Sequence, residues 1–159
     1  MQPNKNRISV LTSSIYCLPL QPYHFPLHMK HIGSIFPYAA ERERELLHAF
    51  RVVMATTKHI IMNQVFSEVV SMPCSRFWVS EERAITVIRT MMAGRYICTT
   101  GEKRDMYDEI FARVKELRIS HPEAPLQLLV FIVVNSPAPR FYLSASQAKS
   151  IINRVRRTT

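Results

Sequence analysis

Residues 126–134 read LQLLVFIVV, and what they form decides the fold class. All but Gln127 are apolar, so neither a two-residue nor a 3.6-residue period separates a buried strand from a buried helix. The stretch 64 residues earlier is more telling. In HIIMNQVFSEVVS, residues 59–71, Asn63, Gln64, Ser67 and Glu68 share one face at helical spacing, and Ile61, Val65 and Val69 lie on the other. If the two stretches share a fold, residues 125–135 form a helix buried on most sides. Pro125 then sits in the first turn, where its missing N–H costs least. A short buried strand over 126–134 is the standing alternative.

The case for a shared fold is a longer repeat. VVSMPCSRFWVSEERAITVIRTM (residues 69–91) and VVNSPAPRFYLSASQAKSIINRV (residues 133–155) align without a gap at the same offset of 64. Eight positions are identical: Val69/Val133, Val70/Val134, Pro73/Pro137, Arg76/Arg140, Phe77/Phe141, Ser80/Ser144, Ala84/Ala148 and Ile88/Ile152. This reads as an internal duplication.

Working outward, each copy has three helices. A first helix is expected over 41–54, where Leu46, Leu47, Phe50, Val53 and Met54 form one stripe. Glu41, Glu43 and Glu45 favour the positive end of its dipole. Its counterpart spans 104–119, with Met106, Ile110, Phe111, Val114 and Leu117 as the stripe. The apolar second helices follow at about 58–71 and 125–135. The repeated loop P-x-x-R-F-aromatic-aliphatic-Ser then ends on Ser80 or Ser144, both good N-cap residues. Gln147 completes a capping box with Ser144, whereas Glu81 and Glu82 serve the dipole in the first copy. The third helices bury Ala84, Val87, Ile88 and Met91, matched by Ala148, Ile151, Ile152 and Val155. Residues 93–103, with Gly94 and Gly101, join the copies.

The expected fold is therefore all-α, about six helices made by duplication of a three-helix unit. Copy one spans 41–92 and copy two 104–157, within a helical domain over 39–159. Two copies are too few for a solenoid, so the expected core is shared and lies around the two apolar second helices.

Residues 1–38 stand apart as a flexible, disordered N-terminal extension. They hold five of the ten prolines and no acid. Lys5 and Arg7 ahead of an apolar stretch faintly resemble a signal peptide, but Thr12, Ser13 and Ser14 interrupt it and no A-x-A site follows. Met29 is an alternative start. His24, His28 and His31 have the i, i+4, i+7 spacing of helical metal ligands. Pro26 argues against that helix, so solvated histidines are expected and no metal site. Cys17, Cys74 and Cys98 form no CxxC and are odd in number, which suggests reduced thiols and a cytoplasmic location. No apolar run is long enough for a membrane span.

The net charge of +9 favours an anionic partner, with DNA or RNA the first candidate. Catalysis has little in its favour. There is no Gly-rich phosphate loop, HExxH or nucleophile elbow, so no enzyme activity, catalytic residue or cofactor is expected. Arg76 and Arg140 sit beside Phe77-Trp78 and Phe141-Tyr142, a pairing that suits phosphate contact and base stacking. The competing reading makes the aromatics wedges at a corner and ties each Arg to an acid or a carbonyl, which explains its recurrence.

The copies differ most in their third helices. From residue 144 onward the chain carries Lys149, Arg154, Arg156 and Arg157 and no acid. Phosphate binding and simple complementation of the helix dipole both account for that pattern. A helix-turn-helix fits poorly, because the loop before the third helix is longer than the usual turn of about three or four residues.

The loop PAPRFYLS followed by AKSIINRVRR, with YDEIFARVKELR-x2-HPE upstream, resembles a family of small uncharacterised helical proteins from Bacteroidales-type bacteria. The resemblance covers about residues 41–157. It implies a bacterial cytoplasmic protein, and the family has no assigned activity from which to carry over site residues. The leading expectation is a non-enzymatic nucleic-acid-binding protein using Lys149, Arg154, Arg156 and Arg157, with Arg140 and Arg76 in support. The alternative is a protein–protein adaptor or mobile-element accessory protein using an apolar face at Met91, Met92 and Tyr96.

Overall fold

The computed structural model describes residues 38–58 and 61–158. They form α1 (Ala39–Thr56), α2 (Met62–Ser71), α3 (Glu81–Met92), α4 (Glu102–Ser120), α5 (Leu126–Val134) and α6 (Ala145–Thr158), with no strand among the described residues. The extension over 1–37 and its histidines lie outside them.

LQLLVFIVV is helix α5. Leu129, Val130, Val133 and Val134 are buried on it at helical spacing, while Ile132 is 42% exposed on the opposite side. Pro125 takes the N-cap position, not the first turn, with an extended ψ of 144°. On α2 the buried stripe is Val65, Phe66 and Val69. Ile61 does not join it: the helix begins one residue later than Ile61, which is 54% exposed. Residue 58 likewise lies outside α2.

The packing departs from two side-by-side copies. Helix α1 packs on α2 and α6, and α2 packs on α6; helix α4 packs on α5 and α3, and α3 packs on α5. Each group thus takes its third helix from the other half of the chain. The apolar helices α2 and α5 do not pack on each other, so the expected centre around them is replaced by two three-helix groups.

The loops explain the exchange. Cys74 and Ala138, 64 residues apart, form an isolated antiparallel bridge, each donating its N–H to the other's carbonyl at 3.0 and 2.9 Å. Phe77 then donates its N–H to Val134 O at 3.0 Å, and Phe141 donates to Val70 O at the same distance. Each loop therefore occupies a carbonyl left open at the end of the other half's second helix. Having crossed, the chain lays α3 on α5 and α6 on α2.

Apolar side chains seal the crossing. Phe77, Trp78, Phe141 and Tyr142 are all buried, and Phe77 stacks on Tyr142 with centroids 5.9 Å apart. These are the wedges expected of a repeated corner. Tyr142 has φ 51°, a left-handed conformation rare for a bulky residue, and its burial on Phe77 helps to hold it there.

The caps differ between halves. At α6 the box closes: Ser144 N–H donates to Gln147 Oε1 at 3.0 Å and Gln147 N–H donates to Ser144 Oγ at 3.2 Å. Ser80 occupies the N-cap of α3 without a side-chain cap bond. Gly94 and Gly101 have positive φ, which the α3–α4 connection requires of its turns.

Candidate nucleic-acid interface

The basic residues singled out in the sequence fall into two sets. Arg76 and Arg140 are corner residues. The Arg140 guanidinium donates from Nη1 to Glu102 Oε2 at 2.6 Å and from Nη2 to Asp105 Oδ2 at 2.7 Å, and it lies 4.7 Å from the Tyr142 ring centroid. Arg76 has a side chain only 13% exposed, 3.7 Å over the Tyr38 ring and 3.8 Å from Glu81 Oε1. Each arginine thus braces the start of the first helix of its own half, Tyr38 before α1 and Glu102 at the head of α4. That geometry matches the structural reading of the repeated motif.

The second set lies on α6. Lys149, Arg154, Arg156 and Arg157 are all exposed. Lys149 and Arg156 are seven residues apart, two turns on one face, with exposed Asn153 between them. Arg154 is hydrogen-bonded to Glu43 of α1, and Arg156 lies 5.9 Å over the Phe50 ring. These contacts anchor the basic helix to α1.

Fold and charge combine in a way the repeat did not announce. Residues 39–71 and 145–158, which hold α1, α2 and α6, carry eight Lys/Arg against four Asp/Glu. Residues 81–134, which hold α3, α4 and α5, carry eight against eight. Because α6 joins α1 and α2, the positive excess gathers on one helical group. Arg44, His48 and Arg51 extend it, being exposed at i, i+4, i+7 on the α1 face away from the core. Alternating Glu and Arg in ERERE concealed that face in the sequence.

A cleft of about 410 Å³ opens where the heads of α6 and α4 meet, lined by Arg42, Lys103, Leu143, Ser146, Gln147, Ser150 and Ile151. Burial lowers the Arg42 pKa, Glu43 opposes that shift, and the nearby Arg154 cation adds to it. Neither Arg42 nor Lys103 stood out in the sequence, because they come together only through the exchanged helix.

At the crossing, burial pushes the Cys74 thiol up to about 12, with the Glu45 carboxylate adding to the effect. Its Sγ lies 3.3 Å from both the Arg76 and Arg140 carbonyls. This is a structural thiol, kept protonated. Among the described residues, no group of three His, Cys, Asp or Glu side chains is placed to hold a metal ion, and no helix is long and apolar enough to cross a membrane. Comparison with protein-family models, curated proteins and solved structures finds no match to this chain.

Proposed function

We propose that the chain is a non-enzymatic nucleic-acid-binding protein that grips the phosphate backbone with α6 and the adjoining face of α1. The observation that carries this reading is the gathering of positive charge on the α1–α2–α6 group, with an acid-free α6 at its surface. Lys149, Arg156 and Arg157 are the principal contacts, with Arg44 and Arg51 in support. Arg154 serves both α6 docking and the surface. Arg76 and Arg140 act as braces, because their guanidinium groups are committed to Tyr38, Glu81, Glu102 and Asp105. The protein's setting in this reading is the bacterial cytoplasm.

Fluorescence anisotropy with duplex and single-stranded DNA and RNA tests the proposal. If Lys149, Arg156 and Arg157 each neutralise one phosphate, the slope of log K against log salt for duplex DNA falls by roughly three when all become Ala. Absence of binding at low salt, or affinity unchanged in that variant, refutes it.

We also propose that the two halves arose by duplication and that the chain is a fused two-fold pair. The reciprocal bonds of Cys74 with Ala138, and of Phe77 and Phe141 with Val134 and Val70, support this, since every pair relates positions by the same offset of 64. A protein–protein adaptor is the second reading. Tyr96, 77% exposed, and Ile119, 83% exposed, favour it, whereas Met91 is half-buried and packs on the core. A pull-down showing a stable protein partner, with no nucleic-acid affinity, would select it.

A further inference from the structure

We infer that the cleft between the heads of α4 and α6 is a phosphate-binding site, in which Arg42 and Lys103 hold the anion and Ser146, Gln147 and Ser150 hydrogen-bond to it. The cleft has two cationic side chains from different helices, three neutral hydrogen-bonding side chains and no carboxylate in its lining. The acids nearest to it are engaged elsewhere. Glu43 is hydrogen-bonded to Arg154, and Glu102 and Asp105 accept from Arg140. Two cations facing one cleft without a carboxylate between them leave it complementary to an anion.

The site does not depend on the helix end itself, because Ser144 and Gln147 already satisfy part of the first turn of α6. The Gln147 amide N–H₂ and the Ser150 hydroxyl supply neutral donors. Leu143 and Ile151 add an apolar wall, and the volume of about 410 Å³ lies in the range for small-ligand clefts. The ligand class is thus a phosphate group borne on a larger body, either a free nucleotide or a nucleotide within a strand.

The other half of the chain sharpens the case. At the positions 64 residues away, Arg42 is matched by Met106, Lys103 by Ala39 and Ser146 by Glu82. What folding requires recurs in both halves, whereas this cationic pair is confined to one. Neither Arg42 nor Lys103 is therefore needed to build the corner.

The experiment is calorimetric titration of the full chain with inorganic phosphate, a nucleoside 5′-monophosphate and a 5′-phosphorylated oligonucleotide, with chloride at matched ionic strength as control. Saturable binding of inorganic phosphate is expected, weakened roughly tenfold or more in Lys103→Gln and Arg42→Gln by loss of a charge-assisted hydrogen bond. Lys103 is exposed, so its variant keeps the fold and the test stands if Arg42→Gln unfolds. A nucleoside monophosphate that binds more tightly than the oligonucleotide identifies the free nucleotide as the source, and the reverse order identifies the strand. No saturable phosphate binding, or binding equal in wild type and Lys103→Gln, overturns the inference. The Lys149, Arg156, Arg157 triple Ala variant keeps phosphate binding in the cleft whether or not α6 binds nucleic acid, which separates the two proposals.

Discussion

Cys74 and Ala138 exchange both of their backbone hydrogen bonds across the point where the two loops pass, and this bridge sends each third helix to the opposite half of the chain. It places α6, the last helix, against α1 and α2, the first two. The positive surface and the phosphate cleft both follow from that exchange.

Ending the chain at residue 143 tests the topology. Without α6, helices α1 and α2 lose the partner that covers them, so amide protection is expected to fall over residues 46–53 and 62–70. Helices α3, α4 and α5 keep each other and should retain protection. Hydrogen exchange read by mass spectrometry distinguishes this from loss centred on α4 and α5, the result required if α6 packed within its own half.

The corner aromatics carry stability. Phe77 and Phe141 are almost fully buried, and replacing either by Ala is expected to cost about 3–5 kcal/mol. Arg140→Ala removes a partly exposed double ion pair and should cost about 1 kcal/mol. Chemical denaturation measures all three, and Arg140→Ala should leave nucleic-acid affinity unchanged.

The two N-caps separate cleanly. Ser144→Ala breaks a closed capping box and is expected to cost about 1 kcal/mol, whereas Ser80→Ala should cost far less because Ser80 makes no side-chain cap bond. Equal losses in denaturant midpoint would contradict the difference in cap geometry.

Alkaline pH should weaken the fold through Cys74. Its thiol is raised in the folded chain to about 12, so the folded state keeps a proton that the unfolded state has lost. The stabilisation is complete below the ordinary thiol range and disappears as pH rises toward 12, with a slope of at most about 1.4 kcal/mol per pH unit. Burial raises Tyr142 as well, adding a further decline above the usual tyrosine range. Cys74→Ala should flatten the first part of the stability–pH curve and Tyr142→Phe the last.

Much of the helical content was legible in residue order. The stripe of Leu46, Phe50 and Val53 marks α1, Ser144 with Gln147 marks the start of α6, and the repeat at offset 64 turns LQLLVFIVV from an ambiguous run into a helix. The acid-free character of α6 was equally plain. Such features arise from local periodicity and from side chains bonding to backbone a few residues away, so composition and spacing suffice to reveal them. The roles of Arg76 and Arg140 were less open to reading, since a cation beside an aromatic looks alike whether it faces phosphate or a carboxylate. Only the approach of Glu102 and Asp105 distinguishes the two for Arg140.

The motif RFYLS by itself determines a buried corner and a capped helix beyond it. It does not determine which pair of helices that helix will cover. Both pairs, α1 with α2 and α4 with α5, present similar apolar faces, and pattern alone cannot choose between equivalent partners. The choice is made in three dimensions, where the bonds between Cys74 and Ala138, and from Phe77 and Phe141 to the far helix ends, satisfy backbone groups only if the loops cross. By moving α6 onto α1, the crossing brings Arg42 and Lys103 to one cleft and the basic residues of both helices to one group.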